Sequence, residues 1–419
     1  MNASHIDPDL LQDVPMQLSP EEAVNEVVKR AVRLPTETVS LADAYGRVLA
    51  NDLVSLVDHP SLDNSALDGY ACREEDTLTA SENNPVVLEL IGDIPAGTTF
   101  SGILQPRQAV SIYTGAPIPA GADAVIGVEH TQCDGDKVKL FQPAKTDAVR
   151  PRAQDLQQGA VVLQAGTRLT AAEVGLAASM GHVEVVVVRR PRVGLLVTGD
   201  EVIAPGQPLK PGQLYDANRY TLTGLLQDVG AEIVVLDNVQ DDLEVLKTRL
   251  AHLSLDFILT SGGVSMGKYD FVRDLLFHHG EVYFWKIAMR PGGPALFGSY
   301  QGVPLFGLPG NPVSCMVVFE LIVKPWFVRA LGLNEASKLE QRLPAFATTS
   351  FTGAGFKVAF RRAYIREKQT ATGWRRVAAS TGPQASNILT SMLVADGLVI
   401  VPPHHQDIAA GEDVEVILF

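Results

Sequence analysis

From Val193 to Leu331 the sequence alternates short β-branched runs with stretches of helical periodicity. That alternation restricts the segment to a sheet of mostly parallel strands, joined by right-handed crossovers and covered by helices on both faces. Strands are expected at residues 193–197, 232–236, 257–260, 282–285, 295–297 and 305–306, with helices at about 218–229 and 243–253. A long helix at about 312–331 closes the segment. The expectation is a three-layer α/β domain over residues 190–333. With 419 residues the chain exceeds what one hydrophobic core usually supports, so other domains must flank it.

Upstream, Ser19-Pro20-Glu21-Glu22 opens a helix: Ser19 caps, Pro20 suits the first helical position and Glu22 closes a capping box. From about residue 60 to 141 the pattern changes to short β-prone runs (86–91, 109–113, 124–128 and 137–141), broken by Pro/Gly/Asp turns. This predicts an inserted, β-rich domain at 60–141. A helix near 169–180 and a strand at 183–188 form too small a unit to stand alone. They are expected to pack with the early helix as one discontinuous domain, 16–59 and 142–189. Beyond Leu333, alternation at 357–365 and a β run at 397–401 predict a small C-terminal β domain, 334–419.

The formal net charge of -14 argues against general nucleic-acid binding, which needs a concentrated Lys/Arg face, but leaves room for one anionic ligand in a local pocket. Cys72, Cys133 and Cys315 lack the paired spacing of a zinc site or disulfide framework. The start, MNASHIDPDLLQDVP, lacks the basic-then-apolar order of a signal peptide. No apolar run approaches the roughly 20 residues a bilayer span needs. A cytoplasmic protein without a membrane partner is expected. His404-His405 is an adjacent pair without further ligands, and a surface pair is the plainer reading.

In open α/β sheets ligands sit beyond the carboxyl ends of the strands. Three glycine-bearing loops fall at that edge: Thr198-Gly199-Asp200-Glu201, then Ser261-Gly262-Gly263-Val264-Ser265-Met266-Gly267, then Gly307-Leu308-Pro309-Gly310-Asn311-Pro312. Glycines let backbone N–H groups approach an anion, and Ser261 and Ser265 add hydroxyl donors. The alternative is that Gly262-Gly263 only makes a tight strand-to-helix turn. Neither a Walker loop nor a GxGxxG fingerprint is present. Asp270 can cap the helix that follows or hold Mg²⁺ against phosphate oxygens, and Asp241 and Asp242 pose the same choice. Glu201 is the better candidate of its acidic pair. Lys286 and Arg290 are either an oxyanion-binding pair or surface cations near a turn. Residues 63–70 are turn-rich, and their spacing alone assigns no function.

Together, DNSALDGYA (63–71), TGAPIPAGADAV (114–125), TGDE (198–201), SGGVSMGKYDF (261–271) and GLPGNPVS (307–314) resemble the molybdopterin molybdenumtransferase family, the MoeA proteins, which are related to the gephyrin E domain. The resemblance runs in order from about Glu21 to the C-terminus. It implies a homodimer assembled through the discontinuous domain, an adenylyltransferase-like α/β domain and a small C-terminal β-barrel-like domain. It further implies insertion of molybdenum from molybdate into adenylylated molybdopterin, with release of AMP and help from Mg²⁺. Contact with a molybdopterin adenylyltransferase follows as a further implied partnership. By motif, the implied catalytic positions are Asp68, Thr114, Glu201, Asp270, Lys286 and Arg290. Substrate binding falls to Ser261, Gly262, Gly263, Ser265, Gly267, Pro309, Gly310, Asn311 and Pro312, and metal binding to Asp241, Asp242 and Asp270. Adenylyl transfer to molybdopterin and a non-catalytic, gephyrin-like scaffold are the competing readings. The sequence departs from the family where Lys-Pro-Gly-Lys-Pro becomes Arg290-Pro291-Gly292-Gly293-Pro294, losing the second cation. It departs again at Arg152-Ala153-Gln154-Asp155 and at Thr381-Gly382-Pro383-Gln384-Ala385-Ser386-Asn387.

Overall fold

The computed structural model describes residues 14–199, 201–236, 243–264, 271–335, 338–370 and 373–419. The chain divides into two compact units, one of residues 1–37 and 188–419 and the other of residues 38–187.

The first unit is built on a seven-stranded sheet in the order Met16–Leu18, Glu281–Ile287, Leu296–Tyr300, Val303–Leu308, Phe257–Ser261, Arg192–Val197, Glu232–Val235. Four of its six pairings are parallel, as the strand–helix alternation predicts. The two antiparallel ones flank Leu296–Tyr300. That strand runs straight into Val303–Leu308 through Gln301-Gly302, both at positive φ, a two-residue hairpin that leaves no chain for a crossover. Helices Asn218–Asp228, Leu243–Leu250 and Phe271–His279 cover the sheet, with Leu246, Val272, Leu275 and Leu276 in one buried cluster. The final helix runs from Pro312 to Leu331, with one π-helical stretch at Phe319–Val323, and ends at Gly332 in the left-handed conformation.

The capping box at Ser19 forms as expected: Glu22 N–H donates to Ser19 Oγ at 3.2 Å and Ser19 N–H to Glu22 Oε2 at 2.8 Å. The partner of that helix differs from the expectation. Pro20–Lys29 packs on the last long helix, and Met16–Leu18 adds an edge strand to the α/β sheet. The later helix, Ala171–Ser179, instead shares a core with Ala44, Leu49, Leu156, Leu169 and Val185. An amphipathic face announces that it will be buried without naming what buries it.

The C-terminal part of the first unit is a small closed barrel. Its sheet runs Val358–Thr370, Gly373–Ser380, Leu343–Ala347, Asp413–Leu418, Gly397–Val401, and the last strand pairs back onto the first. Met289–Arg290 pairs in parallel with the start of its first strand, Met289 opposite Val358 and Arg290 opposite Ala359. In the second unit a six-stranded sheet, ordered Ala124–Gly127, Gly69–Cys72, Gln108–Ile112, Val86–Ile94, Lys137–Leu140, Thr131–Asp134, buries Leu88, Ile126 and Val138 in one cluster and Ile94, Val110 and Val125 in another. Gly69–Cys72 is a strand of this sheet, although its sequence reads only as turn. Among the described residues no helix is long and apolar enough to cross a membrane.

Candidate functional site

Three neighbouring parallel strands end in register: Val197 pairs with Ser261, and Ser261 with Leu308. The three glycine-bearing loops therefore leave the sheet side by side. Backbone bonds tie them at the rim, from Thr198 N–H to the Ser261 carbonyl and from Gly262 N–H to the Leu308 carbonyl, each 3.0 Å. Beyond lies a cleft of about 920 Å³, lined by Thr198, Gly199, Glu201, Gly262, Gly263, Pro309, Gly310, Asn311 and Pro312 among others. Gly262 and Gly263 both adopt positive φ, +88° and +71°, and a Cβ at Gly262 would lie 2.7 Å from Thr198 Oγ1. The turn thus requires glycine, and both residues line the cleft. At the first loop, a Cβ on Gly199 would stand 2.8 Å from Glu201 Oε2, so glycine leaves room for that carboxylate at the cleft wall.

Ser261, expected among the substrate-binding residues, lines the cleft, and its hydroxyl also ties the loops together. Its side chain is buried, its Oγ accepts from Asn218 Nδ2 at 2.8 Å, and it contacts Cys315 Sγ at 3.2 Å and the Pro309 carbonyl at 3.4 Å. Asn218 Nδ2 also donates to the Gly310 carbonyl at 2.7 Å, so one buried amide clamps the second and third loops together. Sequence reading gave Asn218 no role, its signal being only a polar residue that opens a helix two positions after Asp216. Burial pushes the Cys315 thiol up to about 12, with the Ser261 hydroxyl opposing that shift. The thiol accordingly stays protonated and donates to the Pro309 carbonyl at 2.7 Å.

A second cavity of about 370 Å³ adjoins the cleft and shares Pro294, Pro309 and Asn311 with it. Arg290, Asn311, Ser314, Lys357, Gln384 and Ser386 are its polar lining residues. Among the described residues neither Arg290 nor Lys357 has a carboxylate partner. Nearby, Arg361 is held below its ordinary value, first by burial and then by the like charge of Arg290, against a smaller opposing pull from Asp407. Arg362 is fully buried and donates to the carbonyls of Pro383 (3.3 Å) and Ala385 (3.1 Å), while its own N–H donates to Gln384 Oε1 at 2.9 Å. It thereby fixes the turn carrying Gln384, Ala385 and Ser386 into the cavity wall. Sequence reading missed Arg362 because a cation in a β-strand ordinarily points to water.

Of Lys286 and Arg290, expected as a pair, Arg290 is the one that lines a cavity. Arg290 lines the second cavity, whereas Lys286 lines neither cavity and sets its ammonium 4.6 Å from the centroid of the Trp285 ring. Trp285 in turn donates its indole N–H to the Val264 carbonyl at 3.2 Å, bracing the described end of the second loop. In the other compact unit Asp68 and Thr114 meet: Thr114 N–H donates to Asp68 Oδ1 at 2.8 Å. The Thr114 backbone N–H, and then its hydroxyl, hold the Asp68 carboxyl below the usual range, against weak desolvation. Asp241, Asp242, Ser265, Gly267 and Asp270 lie outside the described residues.

Three family models match in order along the chain. They are the MoeA N-terminal region (domain I and II) at residues 18–181, the probable molybdopterin binding domain at 194–329, and the MoeA C-terminal region (domain IV) at 345–419. Molybdopterin molybdenumtransferase 2 of Mycobacterium tuberculosis is 40% identical over 388 residues, covering 90% of this chain and 94% of that protein. The molybdopterin molybdenumtransferase of Haemophilus influenzae is 36% identical over 387 residues, covering 91% and 93%. The crystal structure of the molybdopterin biosynthesis moeA protein from Pyrococcus horikoshii OT3 superposes with a TM-score of 0.77 at 27% identity, over 96% of this chain and 100% of that one. With the adenylyltransferase-like α/β sheet and the closed C-terminal barrel in place, these matches span nearly the whole sequence, and the chain belongs to the molybdopterin molybdenumtransferase (MoeA) family.

Proposed function

We propose that this chain inserts molybdenum from molybdate into adenylylated molybdopterin, yielding molybdenum cofactor and AMP. The observation that carries the reading is the pair of adjoining cavities. One is a long cleft floored by left-handed glycines, suited to a phosphate-bearing organic substrate; the other is small and cation-lined, suited to a tetrahedral oxyanion. Shared walls at Pro294, Pro309 and Asn311 would hold the two substrates side by side, which is the proximity that metal exchange between them needs. In this reading Gly262, Gly263, Gly310 and Asn311 cradle the phosphates, Glu201 and the Arg219-paired Asp216 are the described carboxylates lining the cleft, and Arg290 neutralises the oxyanion. Lys286 acts from behind, through Trp285 and the second loop. Mg²⁺ is proposed as the divalent ion, where it would neutralise phosphate charge. The carboxylates expected to hold it, Asp241, Asp242 and Asp270, lie outside the described residues. Among the described residues no group of three or more His, Cys, Asp or Glu is arranged to hold a metal, so no step is derived through one.

The test supplies purified protein with adenylylated molybdopterin, molybdate and Mg²⁺, then follows AMP release and cofactor formation. Folded protein that binds the nucleotide but releases no AMP at any molybdate or metal concentration would falsify the proposal. Two variants sharpen it. Gly310 has no left-handed φ, and a Cβ there would meet nothing within 4 Å, so the protein itself accommodates Gly310→Ala. Melting should be unchanged while affinity for adenylylated molybdopterin falls by about ten-fold, because the added methyl displaces the ligand alone. Asp270→Ala should abolish turnover in a folded protein; unchanged turnover would leave Asp270 as a helix cap. A homodimer is also proposed on the family resemblance, and light scattering checks it.

A further inference from the structure

Lys357 belongs to none of the motifs that marked the site, yet it lines the oxyanion cavity from the C-terminal barrel. Its place is set by register. The parallel pairing of Met289 with Val358 and Arg290 with Ala359, with Val358 N–H donating to the Ala288 carbonyl at 2.9 Å, locks the barrel's first long strand against the loop that carries Arg290. Lys357 immediately precedes that ladder, closing a turn in which its N–H reaches the Ala354 carbonyl and Gly355 takes positive φ. Its ammonium therefore stands over the Arg290–Pro294 loop. A Cβ built on Gly293 would lie 3.5 Å from Lys357 Nζ, as well as 3.2 Å and 3.4 Å from the carbonyl oxygens of Met289 and Ile287.

Gly293 needs no left-handed backbone, so its lack of a side chain is not explained by its φ. The missing side chain spares a tight approach to the Met289 and Ile287 carbonyls and leaves the space beside them to the Lys357 ammonium. We infer that Gly293 and Lys357 work as a pair: glycine at 293 opens the cavity wall, and Lys357 enters there as the second cation that, with Arg290, binds the oxyanion substrate. The inference rests on the activity proposed above. It makes the cation set depend on the docking of the barrel, because one charge comes from the α/β domain and the other from the barrel. A lysine suits that position, since its compact ammonium on a flexible stem can meet a tetrahedral anion without the fixed fork a guanidinium imposes.

The experiment titrates molybdate into the full-length protein by calorimetry and, in parallel, measures AMP release against molybdate concentration. Lys357→Ala should weaken molybdate binding about ten-fold or more, the range of a lost charge-assisted hydrogen bond. KM for molybdate should rise by a similar factor, with kcat at saturating molybdate within two-fold of the parent. Lys357→Gln, which keeps the stem, should behave alike and guards against a packing effect. Adding Gly293→Lys to Lys357→Ala should restore most of the lost affinity, a rescue that a merely structural Lys357 would not allow. Molybdate affinity within two-fold of the parent in both single variants overturns the inference, as does a folded double variant with no recovery or a parent that binds no molybdate. Lys357-dependent binding without AMP release would sink the activity and leave the inference standing. Normal AMP release with binding indifferent to Lys357 would do the reverse.

Discussion

Gly69→Ala is expected to destabilise the unit of residues 38–187 by about 3 kcal/mol. For a unit of that size, melting should fall by roughly 6–12 °C. Gly69 begins a strand paired with Ile112 on one side and Gly127 on the other, and a Cβ there would lie 1.9 Å from the Ile126 carbonyl oxygen. The atom met is backbone, so no rotamer change relieves the clash; the strands must part or the ladder must shift. Gly175→Ala is the control. It lies in the helix Ala171–Ser179, has no left-handed φ and would meet nothing within 4 Å, so alanine should be neutral or stabilise by up to about 1 kcal/mol. Calorimetric melting of both variants checks the contrast. A Gly69→Ala melt within 2 °C of the parent would show that the strands can separate there without cost.

The Gly69 result bears on why residues 63–70 stayed unreadable. Their turn-like composition hides a strand whose glycine is demanded by a carbonyl 57 positions later in the chain, and no local pattern reports such a distance. What was legible was local: the Ser19 capping box, the strand–helix alternation from Val193 onward, and the three glycine loops that the sheet sets side by side. What escaped was set by pairing between distant segments. Closure of the barrel depends on Gly397–Val401 returning to Val358–Thr370. The presence of Lys357 beside Arg290 in the second cavity depends on a two-residue ladder between Met289–Arg290 and the barrel. The bond from Asn218 to the Ser261 hydroxyl likewise joins residues 43 positions apart, which no local pattern reports.

Asp68→Asn should lower turnover by two orders of magnitude or more while leaving melting unchanged. Asparagine can keep an oxygen where Asp68 Oδ1 accepts the Thr114 N–H, so the link between the strand start and residue 114 survives and only the charge is removed. The charge is what the local structure protects. Backbone and then hydroxyl hydrogen bonds from Thr114 depress the carboxyl pKa, although the group is exposed to solvent. A depressed folded-state pKa means that the bonds to the anion are fully present above the ordinary carboxyl range, and are lost only as pH falls through the lower, folded value. Asp68 is then an anion throughout the neutral range and serves as a fixed negative charge or acceptor rather than a proton donor. The rate ratio between parent and Asp68→Asn should consequently stay constant from pH 5 to pH 8, any acid limb there belonging to another group. Thr114→Ser, which keeps both donors, should retain most activity; Thr114→Ala keeps the N–H alone and should fall between. A rate ratio that instead shrinks as pH drops toward 5, the parent falling toward the pH-independent variant, would assign Asp68 to proton acceptance, because the parent would then be losing an ionisation that the variant lacks.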